Sequence, residues 1–237
     1  ILRGLQENMI ISHTYKLIYV KNKKVAGTST EVLLENALFP GIDQFEIHTK
    51  VINNSEGVTN NRADGSQSHI SLQEIYKKYS NHYKDVPETN NVLKDPNHPP
   101  LQSYLSVCNT RNPFDQVVSW YHHPKHREKE DFKKWLLAEY RSGRLSDEFN
   151  RNNYVVVNGK LAVDFVIRYE HLPEDLLKLF NKLSLDVALL DKLPYFSPGA
   201  RQQGRRRIHY SEYYDDESIE AVNNCFKGVI NYFNYKV

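Results

Sequence analysis

The fold of this chain is decided by residues 16–38, which read KLIYVKNKKVAGTSTEVLLENAL. An apolar, β-favouring run at Leu17–Val20 comes first, and a polar loop follows it. From Val32 onward apolar residues recur at helical spacing, so the stretch predicts strand, loop and helix. The loop places lysines before its glycine, Gly27, and hydroxyl residues and free N–H groups at the positive end of the helix. We therefore predict an anion-binding corner.

This corner is not a Walker A loop. In that motif, G-x-x-x-x-G-K-[ST], the lysine follows the second glycine. Here Lys24 precedes Gly27 by three residues, and the order is K-V-A-G-T-S. A different class of phosphate-binding loop is therefore indicated.

Composition limits the possible functions. The 237 residues suit a single α/β domain, which we place over residues 1–237. Lys and Arg number 31 against 29 Asp and Glu, so no overall field draws the chain to nucleic acid or a membrane surface. No window approaches the roughly 18 apolar residues of a membrane span. Cys108 and Cys225 form neither a disulfide framework nor a metal-ligand spacing.

A second strand–loop–helix unit lies at residues 104–121. Leu105 and Val107 belong to its buried strand, and Pro113 suits the first turn of the helix that follows. Arg111 comes at the carboxyl end of the strand, and Ser119 lies about two turns into the helix. Both side chains are predicted to face the crevice where open α/β sheets bind ligands.

The remaining pattern completes an α/β fold with a central, mainly parallel sheet flanked by helices. Residues 53–68 are rich in Asn, Gly, Ser and Asp and are predicted to form a loop. Asn158-Gly159 predicts the type I′ turn of a hairpin within residues 154–169. Further helices are predicted after Ser71, at residues 132–140, between Pro173 and Leu183, and within residues 210–232.

Four landmarks, in this order, resemble the PAPS-dependent sulfotransferases, especially the branch that modifies carbohydrates (PAPS is 3′-phosphoadenosine 5′-phosphosulfate). They are K-V-A-G-T-S at residues 24–29, R-N-P at 111–113 with a serine eight residues after the arginine, R-Y-E at 168–170, and a basic loop before Y-x-x-Y-Y at 204–214. The resemblance runs from about Lys16 to Tyr232. It implies a P-loop NTPase-like sulfotransferase fold, PAPS as the donor, adenosine 3′,5′-bisphosphate (PAP) as the product, and no metal.

The resemblance also implies roles for individual residues. The 5′-phosphosulfate would be held by residues of the first loop: Lys24, Ala26, Gly27, Thr28, Ser29 and Thr30. The 3′-phosphate would be held by Arg111 and Ser119, with Arg201 or Arg205 adding a third contact. Lys24 would donate to the bridging oxygen of the leaving phosphate, and Lys21 and Lys23 are the rival candidates.

The acceptor hydroxyl needs a base, for which histidine is well suited near neutral pH. Ser68-His69-Ile-Ser-Leu resembles the G-H-V-S-Y segment of the heparan and uronyl 2-O-sulfotransferases, in which the histidine is the catalytic base. That branch often has another histidine two residues earlier, where this chain has Gln67. His48 and Glu46 are the alternative bases.

The resemblance therefore implies a sulfotransferase that acts on a hydroxyl acceptor, which we expect to be a saccharide. Acceptor selection would lie in the loops at residues 53–68, 85–100 and 122–130. Two other interpretations stay open: an ATP-dependent P-loop phosphotransferase, and a non-catalytic anion- or glycan-binding domain on the same fold. The absence of an anchor and the few cysteines favour a cytoplasmic microbial or viral enzyme, and the Golgi lumen applies if an upstream anchor has been removed.

Overall fold

The computed structural model describes residues 6–7, 9–39, 52–54, 57–59, 67–68, 72–79, 100–123, 131–146, 155–194 and 208–237. The strands within these ranges are β1 Gln6–Glu7, β2 Met9–Ser12, β3 Leu17–Val20, β4 Ile52–Asn54, β5 Gly57–Thr59, β6 Gln67–Ser68, β7 Leu105–Thr110, β8 Val156–Val157, β9 Lys160–Leu161 and β10 Phe165–Arg168. The longer helices are α1 Gly27–Leu38, α2 Leu72–Tyr79, α3 Pro113–Tyr121, α4 Phe132–Arg141, α5 Leu172–Leu183 and α6 Asp216–Phe233.

A mixed sheet lies at the centre of the described fold, with strand order β10-β7-β3-β2-β5-β4. The first three strands are mutually parallel, and β2, β5 and β4 join them through antiparallel pairs. Four strands (β10, β7, β3 and β5) therefore run in one direction, which confirms the mainly parallel α/β sheet. Val20 at the end of β3 pairs with Cys108 in β7. The loops that follow these two strands consequently leave the sheet side by side.

Helices cover both faces of this sheet. On one face α1 and α5 pack through residues such as Leu33 and Leu179 against Tyr19 and Val107. The other face packs against α2 and part of α6, while α3, α4 and α6 share a third, aromatic-rich core. None of the described helices combines the length and the apolar character that crossing a bilayer requires.

The loop predicted for residues 53–68 was wrong in part. Ile52–Asn54 and Gly57–Thr59 form an antiparallel hairpin whose second strand pairs with β2, and Gln67–Ser68 pairs with β1. β4 lies at the sheet edge and β5 lies between β4 and β2, and the polar composition of these short strands indicated a loop. The hairpin at Asn158-Gly159 is confirmed, with φ values of 51° and 75° at these two residues.

Helix α1 starts at Gly27, directly against the beginning of the loop that leads into it. A Cβ at Gly27 would lie 2.7 Å from Lys21 Cγ and 3.0 Å from the carbonyl oxygen of Asn22. The distance to Lys21 Cγ is shorter than Cβ atoms show in real structures. The contact with Asn22 involves a backbone atom, which cannot move away as a side-chain end can. The close approach of α1 to its own loop therefore requires a glycine.

We predict that Gly27→Ala lowers the free energy of unfolding by about 1–3 kcal/mol, because the added methyl group overpacks this contact. Gly228→Ala is the matched control. Gly228 lies in α6, and a Cβ there would meet its nearest neighbour, Val156 O, at 3.7 Å. Alanine is the better helix former by up to about 1 kcal/mol, so this variant should be unchanged or more stable. Urea unfolding of both variants makes the comparison, and a neutral Gly27→Ala would contradict the packing argument.

Candidate functional site

The amino terminus of α1 has no capping side chain. Its N-cap residue is Ala26, and its first turn contains no acidic residue. The first helical hydrogen bond is donated by the Thr30 N–H to the Ala26 carbonyl oxygen, at 3.0 Å. The N–H groups of Gly27, Thr28 and Ser29 precede it, and they have no acceptor among the described residues. They point out of the positive end of the helix dipole, where an anion is favoured.

The loop before α1 adds further unpaired donors. Lys24 and Ala26 have positive φ values of 60° and 61°, a left-handed conformation that costs a non-glycine residue about 1–2 kcal/mol. Backbone strain of this kind clusters at functional sites. With the start of α1 included, the N–H groups of Lys24 and of residues 26–29 have no acceptor within the described part of the chain. Consecutive free N–H groups form a cradle for an anion.

Lys24 supplies a side-chain charge beside this cradle. Its ammonium makes no hydrogen bond or ion pair with any described residue, although the side chain is partly buried. Burial, and secondly the positive charge of Arg111, lower the pKa of Lys24 to about 8. A partly buried cation without a counter-ion is a candidate for binding or catalysis.

Lys21 is used differently. Its ammonium pairs with Glu31 Oε2 in α1 at 2.7 Å, and the two side chains are 8% and 0% exposed. Burial raises the pKa of Glu31, while the Lys21 charge opposes that shift. This pair fastens the start of the loop to the helix, so Lys21 is committed to structure. Lys23, the other rival to Lys24, is partly exposed.

Three consecutive carbonyl oxygens of the loop are held by side chains from β7, from α3 and from the turn between them. The bonds run from Gln116 Nε2 to Lys23 O (2.6 Å), from Arg111 Nη1 to Lys24 O (2.9 Å), and from Asn109 Nδ2 to Val25 O (3.2 Å). The chain has no cis peptide among the described residues, and in a trans peptide the carbonyl and the next N–H point in opposite directions. The N–H groups of residues 24–26 therefore point away from β7 and α3.

Asn109 is the centre of a buried network beneath the loop. It is fully buried, and its Oδ1 accepts the Tyr19 hydroxyl at 2.8 Å. Its Nδ2 also donates to Thr30 Oγ1 at 2.9 Å, and its backbone oxygen accepts from Asn22 Nδ2 at 2.8 Å. Every polar group of this amide is used. The Thr30 hydroxyl and N–H are likewise engaged inside the corner.

Arg111 extends across the loop from the end of β7. Its Nε donates to Asp115 Oδ2 at 2.7 Å, and its Nη2 pairs with the same oxygen. The guanidinium carbon lies 3.9 Å from the centre of the Tyr169 ring, which is a cation–π contact. With Nη1 bound to Lys24 O, three of the five donors are used. One N–H on each terminal nitrogen has no acceptor among the described residues.

Ser119 lies on the same side of α3 as these contacts. It follows Asp115 by four residues and Gln116 by three, and such positions share one face of a helix. Asp115 binds Arg111, and Gln116 binds the loop. Ser119 therefore lies on the face of α3 that is directed toward the loop, and its side chain is partly exposed.

The R-Y-E stretch at residues 168–170 contacts the turn between β7 and α3. Arg168 binds Asp175 through two hydrogen bonds of 2.8 Å. Glu170 Oε1 accepts the backbone N–H of Asn112, the residue that follows Arg111. Its other oxygen accepts the Tyr235 hydroxyl at 3.3 Å. The Tyr169 ring stacks on Arg111, and Arg168 pairs in the sheet with Thr110, the last residue of β7. All three residues of the stretch therefore contact the end of β7 or the turn that follows it.

The carboxyl-terminal segment packs on the start of α3. Asn112 caps this helix by accepting the Phe114 N–H at 3.0 Å, as sequence position predicts for a residue before Pro113. Asn112 Nδ2 donates to Tyr210 Oη and to Lys236 O. The segment that resembles the Y-x-x-Y-Y landmark thus contacts the residue next to Arg111.

Several sequence-predicted site residues lie outside the described residues: Glu46, His48, His69, Arg201 and Arg205. Strand β6 ends at Ser68, and α2 begins at Leu72, so the described elements flank His69 in sequence on both sides. Across the described ranges, no group of three or more His, Cys, Asp or Glu side chains is placed to hold a metal ion.

Asn109 and Gln116 are not among the sequence-predicted site residues, although both hold the loop. Asn109 shares a strand face with Val107, which packs in the core under α1. A polar residue at such an inward position was the available signal. Gln116 lies three residues before Ser119, so helical spacing from a predicted site residue indicated its face.

Comparisons with known proteins identify the family of the chain. A family profile described as the sulfotransferase family matches residues 7–236. A protein of Archaeoglobus fulgidus, described only as uncharacterized, is 36% identical over 91 residues, which are 38% of this chain and 75% of that protein. No solved structure matches the chain significantly.

The different roles of the two lysines give a stability prediction. Lys21→Met leaves Glu31 buried without its counter-ion and should lower the free energy of unfolding by about 3 kcal/mol or more. Lys24→Met removes a partly buried charge that has no described partner, so the free energy of unfolding should stay the same or rise. Chemical unfolding of both variants at neutral pH makes the measurement.

An acidic buffer provides the control for this pair. A protonated Glu31 carries no uncompensated charge, so the deficit of Lys21→Met should shrink as the pH falls. Equal losses from the two variants would contradict the assignment of Lys21 to structure.

Proposed function

The chain belongs to the sulfotransferase family, and on that premise we propose that it moves the sulfuryl group of PAPS to a hydroxyl group of a saccharide acceptor. The family membership establishes a sulfotransferase enzyme. The identities of the donor, the acceptor and the base are what we propose. The observation that carries it is the row of N–H groups at residues 26–29 without described acceptors, beside the Lys24 ammonium, which has no partner among the described residues.

PAPS has two anionic ends, a 5′-phosphosulfate and a 3′-phosphate, joined by a nucleoside. We assign the 5′ end to the loop and the start of α1, where Lys24, Ala26, Gly27, Thr28 and Ser29 would hold it. The free N–H groups and the helix dipole support this assignment, since both favour an anion. Thr30 would act through Asn109 by keeping the corner in shape.

The 3′ end is assigned to Arg111 and Ser119. The two unused N–H groups of Arg111 suit a phosphate, which guanidinium binds through two parallel hydrogen bonds. Ser119 supports the assignment by lying on the face of α3 directed toward Arg111. Arg201 or Arg205 would add the third contact that the resemblance implies.

The transfer itself is an in-line displacement at sulfur. The acceptor oxygen forms a bond to sulfur while the bond from sulfur to the bridging oxygen breaks, and PAP leaves. Protonated Lys24 would donate to the bridging oxygen, where negative charge accumulates. His69 would take the proton of the acceptor hydroxyl, with His48 and Glu46 as the alternative bases. Positioning and charge stabilisation are the main contributions of the protein, as in phosphoryl transfer.

The donor assignment predicts selective stabilisation by PAP. At about 100 times its dissociation constant, a ligand adds roughly 2.7 kcal/mol to the free energy of unfolding. For a chain of this size the unfolding midpoint should rise by several degrees. The measurement compares PAP with ADP and ATP at equal concentration, and Arg111→Ala is the control that should remove the response to PAP.

If ATP or ADP raises the midpoint as much as PAP does, the 3′-phosphate site is assigned wrongly. An ATP-dependent phosphotransferase would then be the better interpretation.

The role of Lys24 predicts a pH profile. Lys24 must be protonated to donate, and the pKa of about 8 places its deprotonation just above neutral pH. The value of kcat/KM should therefore fall tenfold per pH unit above about pH 8, while its decrease on the acid side reports protonation of the base. In Lys24→Arg this fall should disappear, while Lys23→Arg, the neighbouring control, should keep it.

Alanine variants separate catalysis from binding. Lys24→Ala and His69→Ala should each lower turnover by about two or more decades. Unchanged ligand affinity in His69→Ala, together with no turnover in the wild-type protein across a panel of saccharides, would indicate a non-catalytic binding domain.

A further inference from the structure

The loop that carries Lys24 is shaped from the side of β7 and α3. Side-chain N–H groups of Gln116 and Arg111 hold the carbonyl oxygens of Lys23 and Lys24, at 2.6 Å and 2.9 Å. These bonds lie on both sides of the Lys24 Cα. The Lys23 carbonyl belongs to the peptide before it, and the Lys24 carbonyl belongs to the peptide after it. The two bonds therefore fix the orientation of both peptide planes at the residue whose φ is 60°.

We propose that Gln116 and Arg111 are positioning residues for Lys24, which turn the loop N–H groups and the lysine toward the 5′ end of the donor. The inference rests on the proposed function, because it takes the loop as the 5′ site. It adds a role to Arg111 beyond contact with the 3′-phosphate, and it gives Gln116 a role in donor binding. A ligand that lacks a 3′-phosphate should consequently still depend on both residues.

Electrostatic repulsion explains why the loop needs these two hydrogen bonds. Arg111 and Lys24 are like charges close enough for Arg111 to lower the pKa of the lysine. Their repulsion opposes the observed loop conformation until an anion is bound. The hydrogen bond from Arg111 to Lys24 O, and the pairing of Arg111 with Asp115, offset that repulsion. Gln116 is uncharged, so its contribution to loop geometry can be measured without a change in charge.

The test measures the affinities of adenosine 5′-phosphate (AMP) and PAP by titration calorimetry. AMP probes the 5′ site alone, and PAP probes both ends. The variants are Gln116→Met, Arg111→Lys and Ser119→Ala, each checked for an unchanged unfolding midpoint without ligand. Gln102→Met is the matched control, because Gln102 is exposed on the turn Leu101–Ser103 that precedes β7 at the far end of the sheet.

Gln116→Met should weaken AMP and PAP equally, by about five- to tenfold, which corresponds to one lost hydrogen bond. The ratio of the two affinities should therefore match the wild-type ratio. Arg111→Lys keeps the charge but loses the geometry of the guanidinium, so it should weaken AMP as well and PAP more. Ser119→Ala should weaken PAP alone, and Gln102→Met should change neither.

Wild-type affinity for AMP in both Gln116→Met and Arg111→Lys would overturn the proposal, since the loop would then be shaped without them. A different result marks failure of the proposed function. If the wild-type protein binds PAP no more tightly than AMP, the 3′-phosphate assignment is wrong. The AMP affinities of the two variants then still decide whether Gln116 and Arg111 position the loop.

Discussion

The site depends on the hydrogen bonds that three side chains, from β7, from α3 and from the turn between them, make to successive carbonyl oxygens of the first loop. A trans peptide directs its N–H opposite to its carbonyl, so this hold exposes the N–H groups of the loop. It also keeps Lys24 and Ala26 in left-handed conformations that they would otherwise avoid. On the proposed function, the loop would thus be prepared for an anion before one arrives, and little ordering would remain to be done on binding.

The pairing of the charged side chains also favours an anion at this loop. Lys21 is neutralised by Glu31 beneath α1, and Arg111 is partly neutralised by Asp115. Lys24 is left as a cation without a described counter-ion, in a partly buried position beside a second cation. The proposed anionic donor would relieve this repulsion, and the relief would be greatest where negative charge grows during transfer. The two strand–loop–helix units are joined by hydrogen bonds between residues 79 to 93 positions apart in the chain, and on the proposed function they form one site.

Local sequence patterns were sufficient for much of this. The apolar run before a polar loop predicted β3, Pro113 predicted the start of α3, and Asn158-Gly159 predicted the hairpin turn. The choice between Lys21 and Lys24 was not available locally, because it depends on a tertiary contact with Glu31. Asn109 was missed because it lies in a strand whose other inward residues are apolar. The strands within the loop predicted for residues 53–68 were missed because their composition resembles that of a loop.

A crystal structure with bound PAP would show whether one nucleotide spans both anion sites. We expect the 5′-phosphate on the N–H groups of residues 26–29 and the 3′-phosphate against Arg111 and Ser119. We also expect that the loop keeps its three side-chain hydrogen bonds. A nucleotide bound with no phosphate at the start of α1, or with Arg111 still directed only at Asp115 and the loop, would contradict the account.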